Sequence, residues 1–339
     1  MPETKLTSST GDASPSANAR AIAARELPVP ETASAAMQKF IALPYPPIWN
    51  DLPKDTAEWK HLAEQSLAAA APNIAAIRQR FELEIEEQTI AGVRVFVITP
   101  ADVPERNRNR VLLHIPGGGF VLSPGEAGAG EGMLMAGFGH FRVVSVDYRR
   151  LPDFPFPAAL DDATAVWRAL LAEHDPRRMA VFGTSAGGGL TFALMLRAKA
   201  EGFALPAAIA PGTPWVDLTG EGDSLKANEF VDNVLVSMSG WAGDAAPLYA
   251  GGRDVRDPLI SPIYGDFTGL PPAIITSGAR DLFLSNAVRA HRKLRASGVE
   301  AVLQVFEGVS HAQYLFPFSP EGEAAFAEIT QFFDKHLAV

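Results

Sequence analysis

The chain of 339 residues has no cysteine, an excess of acidic over basic side chains, and no long apolar run. The absence of cysteine excludes disulfide bonds, thiol nucleophiles and cysteine–zinc sites. The net charge of −10, from 29 Lys and Arg against 39 Asp and Glu, argues against a nucleic-acid partner or an anionic membrane surface. No segment is long enough to span a membrane, and residues 1–10 lack the apolar core of a secretory signal. These features predict a cytoplasmic protein without a membrane span.

What the chain does have is a large apolar fraction, 47%, arranged as short strand patterns that alternate with helical ones. Residues 111–115 and 143–146 are nearly continuous apolar runs, as fully buried parallel strands require. The residues at 160, 163, 166, 167, 170 and 171 are apolar and lie on one helical face. This alternation predicts an α/β fold, with a mostly parallel central sheet and helices on both faces.

The pattern divides the chain into three parts. Residues 1–16 are small and polar and are expected to be a mobile N-terminus. Residues 17–81 show helical patterns with proline breaks and no strand, which predicts an N-terminal helical cap. Residues 82–339 are expected to form the α/β domain. Residues 217–257 interrupt its alternation of strand and helix patterns, which predicts an insertion over the sheet.

The pentapeptide GTSAG at 183–187 lies between an apolar strand pattern and a helix pattern. A serine at such a strand-to-helix turn is held in a strained conformation that exposes its Oγ, while the next N–H points at the substrate. Flanking glycines are required because side chains there would collide with the neighbouring strand or helix. Ser185 is therefore a candidate nucleophile. The alternative is a glycine-rich turn that only packs a helix against the sheet.

A serine nucleophile needs a base and an acid, which in α/β sheets follow the carboxyl ends of strands. Asp281 follows the strand pattern at 273–277, and His311 follows the one ending at 306. The order Ser, Asp, His is that of one serine-hydrolase arrangement. Asp281 could instead be a helix N-cap and His311 a surface loop residue. Asp257 is a rival acid, although no strand precedes it.

The glycine-rich loop PGGGF at 116–120 directly follows a predicted buried strand. Glycines allow backbone N–H groups to approach a ligand closely, so this loop is a candidate donor site for a developing oxyanion. A phosphate-binding loop fits poorly, because neither G-K-S/T nor G-x-G-x-x-G spacing follows. A plain flexible loop is the remaining alternative.

Taken together, the chain resembles the bacterial hormone-sensitive-lipase-like esterases, which are α/β-hydrolases with an N-terminal helical cap. The resemblance covers most of the chain. It is to the subgroup that has Thr rather than Asp before the nucleophile. Its motifs are PGGGF at 116–120, VDYRRLP at 146–152, FPAALDD at 156–162, GTSAGG at 183–188, PWVDL at 214–218, DPLISP at 257–262 and SGARD at 277–281. Two positions depart from it: Pro116 replaces the usual histidine, and Leu282 follows the acid in place of proline.

The resemblance implies an α/β-hydrolase fold, a triad of Ser185, Asp281 and His311, and oxyanion donors at Gly118, Gly119 and Ala186. It implies a serine carboxylesterase that acts on small-molecule esters of short to medium chain length, with no metal or organic cofactor. It also favours a homodimer. Lactones and acetylated sugars or drug-like esters remain open as substrates. The rival functions are a peptidase of the same fold and a non-catalytic receptor like the related plant gibberellin receptors.

Overall fold

The computed structural model describes residues 24–338, so the predicted mobile segment 1–16 lies outside the described residues. Within them, eight strands form one sheet in the order β1-β2-β4-β3-β5-β6-β7-β8. The strands are Leu83–Ile90 (β1), Val93–Pro100 (β2), Val111–His114 (β3), Arg142–Val146 (β4), Met179–Thr184 (β5), Ala208–Gly212 (β6), Ala273–Gly278 (β7) and Ala301–Phe306 (β8).

The sheet is parallel from β4 through β3 and β5 to β8, and antiparallel where β2 meets β1 and β4. Every residue of β3 and β5 is buried. Strands covered on both faces have this property, and it explains their continuous apolar sequence. The predicted α/β fold with a mostly parallel sheet is confirmed.

Helices cover both faces of the sheet. Those of the described residues are Ala35–Ile41 (α1), Thr56–Arg80 (α2), Gly130–Gly139 (α3), Ala158–Glu173 (α4), Ala186–Glu201 (α5), Ser224–Ala227 (α6), Trp241–Ala250 (α7), Leu284–Ala296 (α8) and Pro320–His336 (α9). Trp167 of α4 and Phe192 of α5 belong to the core on one face. Met133 of α3 and Phe333 of α9 belong to the core on the other. No helix among residues 24–338 combines the length and apolar character needed to cross a membrane.

Two helices differ from the sequence prediction. Of the proline breaks expected in residues 17–81, the one at Pro72 does not end a helix, because α2 continues through it to Arg80. The lost hydrogen bond is outweighed by burial of Trp59, Leu62 and Ile77 along the helix. Helix α3 was not predicted, because four glycines lower its intrinsic propensity. One of them is Gly137, where a Cβ would lie 2.4 Å from the Phe81 ring, so close packing accounts for that glycine.

Candidate active site

Ser185 occupies a sharp turn between the last residue of β5 and the first residue of α5. Its φ of 61° and ψ of −121° are strained for a residue with a side chain. A Cβ added to Gly183 would lie 2.1 Å from the carbonyl oxygen of Ile115, and one added to Gly187 would lie 2.0 Å from the same atom. Only glycine fits on either side of Ser185, as the collision argument from sequence predicts.

His311 and Asp281 form a buried pair beside this turn. His311 Nδ1 lies 3.0 Å from Asp281 Oδ1, and the two residues are 4% and 0% exposed. Both follow the carboxyl ends of their strands, β8 and β7. His311 and Ser185 line the same cavity. Among the described residues, no hydrogen bond joins the side chains of His311 and Ser185. In serine hydrolases this contact is often long in the free enzyme and shortens only in the substrate complex.

The Asp281 carboxylate is held by four donors. Oδ1 accepts from the Phe283 amide at 2.8 Å and from His311, while Oδ2 accepts from Ser277 Oγ at 2.7 Å and from Thr213 Oγ1. Burial on its own would raise the pKa of Asp281, but His311 and these hydrogen bonds outweigh it and hold the pKa below its ordinary value. The group is thus an ionised carboxylate that fixes the orientation of the imidazole.

The rival acid Asp257 does not join this site. Its Oδ1 accepts from the Leu259 amide at 2.9 Å, a local turn contact, and the residue does not line the cavity. The structure brings together Ser185, Asp281 and His311 and leaves Asp257 outside.

A second buried carboxylate, Asp232, lies beside the pair, and sequence reasoning missed it. Asp232 is 0% exposed, and burial together with Asp281 raises its pKa above the ordinary value. One ligand atom from each of Asp232, Asp281 and His311 lies within 4.8 Å of the others, a spacing that a metal ion could bridge. Each carboxylate nevertheless already accepts four hydrogen bonds, so a metal would have to displace N–H and O–H donors. A metal-free hydrogen-bond network fits these donors better.

The glycine loop after β3 presents amides to the cavity. Gly118 and Gly119 have φ of 99° and 59°, and Ala186 is the first residue of α5. Among residues 24–338 the N–H groups of these three residues have no hydrogen-bond acceptor. Pro116, at the position of the expected histidine, has its carbonyl fixed by the buried Tyr148 hydroxyl at 2.9 Å. Gly118 and Gly119 line the cavity beside Ser185, and Ala186 directly follows Ser185, so these unpaired amides are candidate donors to an oxyanion.

A second polar network that the sequence did not reveal lies under the turn. Thr184 Oγ1 contacts Glu131 Oε1 at 2.7 Å and the Tyr314 hydroxyl at 2.6 Å. His114 Nε2 lies 3.2 Å from Glu131 Oε2, and its Nδ1 lies 2.8 Å from Ser145 Oγ. These contacts satisfy the polar groups buried behind the turn and restrict its movement.

The cavity above Ser185 has a volume of about 360 Å³. Its walls are mostly apolar and come from helix α2, the glycine loop and the insertion at 217–257. The apolar side chains that the segment before β1 and the insertion contribute include Ile48, Trp49, Ile74, Ile77, Val234, Leu235 and Trp241. Of the other aromatic residues before β1, Phe40 packs on Phe316, and Tyr45 donates to the carbonyl of Phe230.

Residues 112–315 match the sequence profile of the alpha/beta hydrolase fold family. The chain belongs to this family. An acetyl-hydrolase of Streptomyces hygroscopicus is 30% identical over 283 residues, which cover 76% of this chain and 94% of that protein. The crystal structure of an esterase, E25, has a TM-score of 0.91 at 38% identity and covers 95% of this chain and 100% of its own.

A further crystal structure, of an esterase from the bacterial hormone-sensitive lipase family, has a TM-score of 0.71 at 33% identity and covers 76% of this chain and 85% of its own. The predicted α/β-hydrolase fold and the resemblance to hormone-sensitive-lipase-like esterases are therefore confirmed.

Proposed function

We propose that this family member is a serine carboxylic ester hydrolase that uses Ser185, His311 and Asp281. One observation carries the proposal: Ser185 on its strained turn, His311 paired with a buried aspartate, and the unpaired amides of Gly118 and Gly119 line a single apolar cavity. The third unpaired amide, that of Ala186, directly follows Ser185. Acyl transfer by serine requires these groups and no others from the protein. The esterases among its relatives point to the same reaction class.

In the proposed mechanism, Ser185 Oγ attacks the acyl carbonyl carbon as His311 Nε2 takes its proton. The carbonyl oxygen becomes an oxyanion, which the N–H groups of Gly118, Gly119 and Ala186 stabilise. The ester C–O bond then breaks, and His311 returns the proton to the departing alcohol. A water molecule, deprotonated by His311, then attacks the carbonyl carbon of the acyl-enzyme. His311 returns that proton to Ser185 Oγ as the bond between Oγ and the acyl carbon breaks, which releases the acid and free Ser185.

We propose short- to medium-chain acyl esters as substrates. A cavity of about 360 Å³ with apolar walls suits a small acyl group better than a long one. An acetyl-hydrolase among the relatives is in keeping with this size. Lactones and acetylated compounds would use the same three residues. The hydrogen bond between His311 and the buried Asp281 argues against a non-catalytic receptor, because ligand binding alone requires no base that is oriented by an acid.

The test is the initial rate on p-nitrophenyl esters from acetate to palmitate for the wild type and Ser185→Ala. The variant should lose about four orders of magnitude in kcat, because the covalent step is removed. Ser123→Ala, at another serine of the cavity wall, is the matched control and should retain turnover. Wild-type turnover in Ser185→Ala contradicts the assignment. A folded wild type that turns over no ester favours the receptor.

We also propose that the segment before residue 82 and the insertion at 217–257 act together as a cap. The support is that both supply cavity walls, through Ile74 and Ile77 from the first and Val234 and Trp241 from the second. The cytoplasmic location and the homodimer stay predictions.

A further inference from the structure

Asp232 is a fully buried carboxylate whose hydrogen bonds all come from the backbone. Oδ1 accepts from the amides of Val234 at 2.8 Å and Leu235 at 3.1 Å. Oδ2 accepts from the amides of Leu282 at 2.8 Å and His311 at 3.2 Å. Two N–H donors on each oxygen use its lone pairs, which is an arrangement that an ionised carboxylate satisfies and a neutral side chain does not.

The amides that Asp232 binds belong to three separate loops. Leu282 directly follows Asp281 on the loop after β7, His311 lies on the loop after β8, and Val234 and Leu235 belong to the insertion. The two side chains of the acid–base pair are thus carried by loops that are joined by one carboxylate. The two loops also meet directly, because the Arg280 amide donates to the carbonyl of Val309 at 3.0 Å, and Asp232 adds a second junction nearer to the two side chains.

Neighbouring residues of the insertion support the same junction. The Asn228 side chain donates to the carbonyl of Asp281 at 2.8 Å. Asn233 receives a hydrogen bond from Gln313 at 2.8 Å, and its amide lies 3.2 Å from Ser310 Oγ. The segment 228–235 therefore contacts both loops on either side of Asp232, and its later residues continue into the cavity wall.

We propose that Asp232 is a positioning residue that sets the His311–Asp281 geometry by joining their two loops. It does not line the cavity, so it acts through those residues and touches no substrate. The inference rests on the proposed function, because it assigns Asp232 a role only if His311 and Asp281 form the base and acid of that reaction. It predicts a loss in the chemical step and little change in substrate binding.

The test is Asp232→Asn, which keeps the shape but turns one oxygen into an NH2 group that faces two backbone N–H donors. The repulsion should displace one of the loops, and misplacement of a catalytic group by about 1 Å can lower kcat about 10²-fold. KM for p-nitrophenyl acetate should stay near its wild-type value, because the substitution removes no side chain of the cavity wall and the acetyl group is small. The low-field ¹H NMR resonance of the His311 Nδ1 proton should shift or broaden, which a merely structural loss of stability would not produce.

Asp254→Asn is the matched control. Asp254 is an exposed carboxylate of the same insertion that accepts one backbone N–H, from Arg256 at 2.9 Å. It should behave as the wild type in all three measurements. A kcat for Asp232→Asn equal to that of Asp254→Asn overturns the proposal, as does a lower kcat with an unchanged low-field resonance.

Circular dichroism and gel filtration first establish that Asp232→Asn is folded. If that variant does not fold, Asp232→Glu tests the positioning role instead, because it keeps the charge but places the carboxylate oxygens one methylene farther from the backbone. The same fall in kcat at constant KM supports the proposal, and a wild-type kcat overturns it. The ester assay on wild type and Ser185→Ala runs in parallel. A wild type without esterase activity defeats the proposed function, whereas an active wild type with an unaffected Asp232→Asn defeats only the positioning role.

Discussion

Gly119→Ala tests whether the glycine loop places its amides against the reacting carbonyl. Gly119 has a φ of 59°, and a Cβ built there would lie 2.6 Å from Cζ3 of Trp241 and 3.1 Å from Cη2 of the same ring. The ring is buried, at 8% exposure, so it cannot simply swing into solvent. The new methyl group must therefore push either the indole or the loop.

Gly119→Ala should have two separable effects, one on the free energy of unfolding and one on kcat. The left-handed conformation costs about 1–2 kcal/mol for a residue with a Cβ. Overpacking against the indole adds about 1–3 kcal/mol to the loss of unfolding free energy. If the loop moves, the amides of Gly118 and Gly119 leave the oxyanion position, and loss of such a donor lowers kcat by about 10²–10³.

Gly220→Ala separates these effects, because Gly220 has a φ of 80° and nothing within 4 Å of its added Cβ. It should lose only the conformational contribution to stability and keep its kcat. The assay is p-nitrophenyl acetate hydrolysis together with denaturant unfolding of both variants. In the double variant Gly119→Ala with Trp241→Ala, removal of the indole should recover part of the lost kcat. If Gly119→Ala keeps a kcat within twofold of Gly220→Ala, the loop does not supply the oxyanion donors in the way proposed here.

Two further predictions concern stability and chain length. Burial alone would raise the pKa of Asp147, but Arg150 and the Gly125 amide outweigh it and hold the pKa low. The resulting stabilisation is complete above the unfolded pKa and is lost as pH falls through the folded one. Asp147→Asn should therefore lower Tm by several degrees at pH 7, because it leaves the mostly buried Arg150 without its ion-pair partner. The difference in Tm between the wild type and the variant should narrow below about pH 4, where Asp147 of the wild type is also neutral. A difference in Tm that is the same at all pH values contradicts this pH dependence. Trp241→Ala should raise the kcat/KM of longer acyl esters relative to acetate by about fourfold per additional buried methylene. Tyr45→Ala, outside the cavity, should leave that ratio unchanged.

The parts of the fold that were predictable are those where one local pattern decides the outcome. The continuous apolar runs of β3 and β5 require a strand buried on both faces, and the glycines around Ser185 are required by contacts with one carbonyl. Helix α3 was missed for the opposite reason. Its glycines are unfavourable locally and are explained only by neighbours distant in sequence, such as Phe81.

The same distinction holds in the candidate site. Ser185, Asp281 and His311 could be proposed because each follows a strand. Asp232 could not, because it lies in an irregular insertion where an aspartate is ordinarily a solvated turn residue. Its burial depends on amides supplied from about 50 and 79 positions away, and no sequence spacing encodes that.

The insertion connects substrate selection to the reacting groups in two places. Trp241 forms a cavity wall and also lies against Gly119 of the glycine loop, so a change that enlarges the acyl pocket also removes a support of that loop. Residues 234 and 235 form another part of the wall and bind Asp232, which in turn binds the loops of the acid and the base. Because Trp241 contacts both the cavity and the glycine loop, its substitution should change kcat and chain-length preference together. Substitutions at Ile74, on the α2 wall, should change chain-length preference with a smaller effect on kcat.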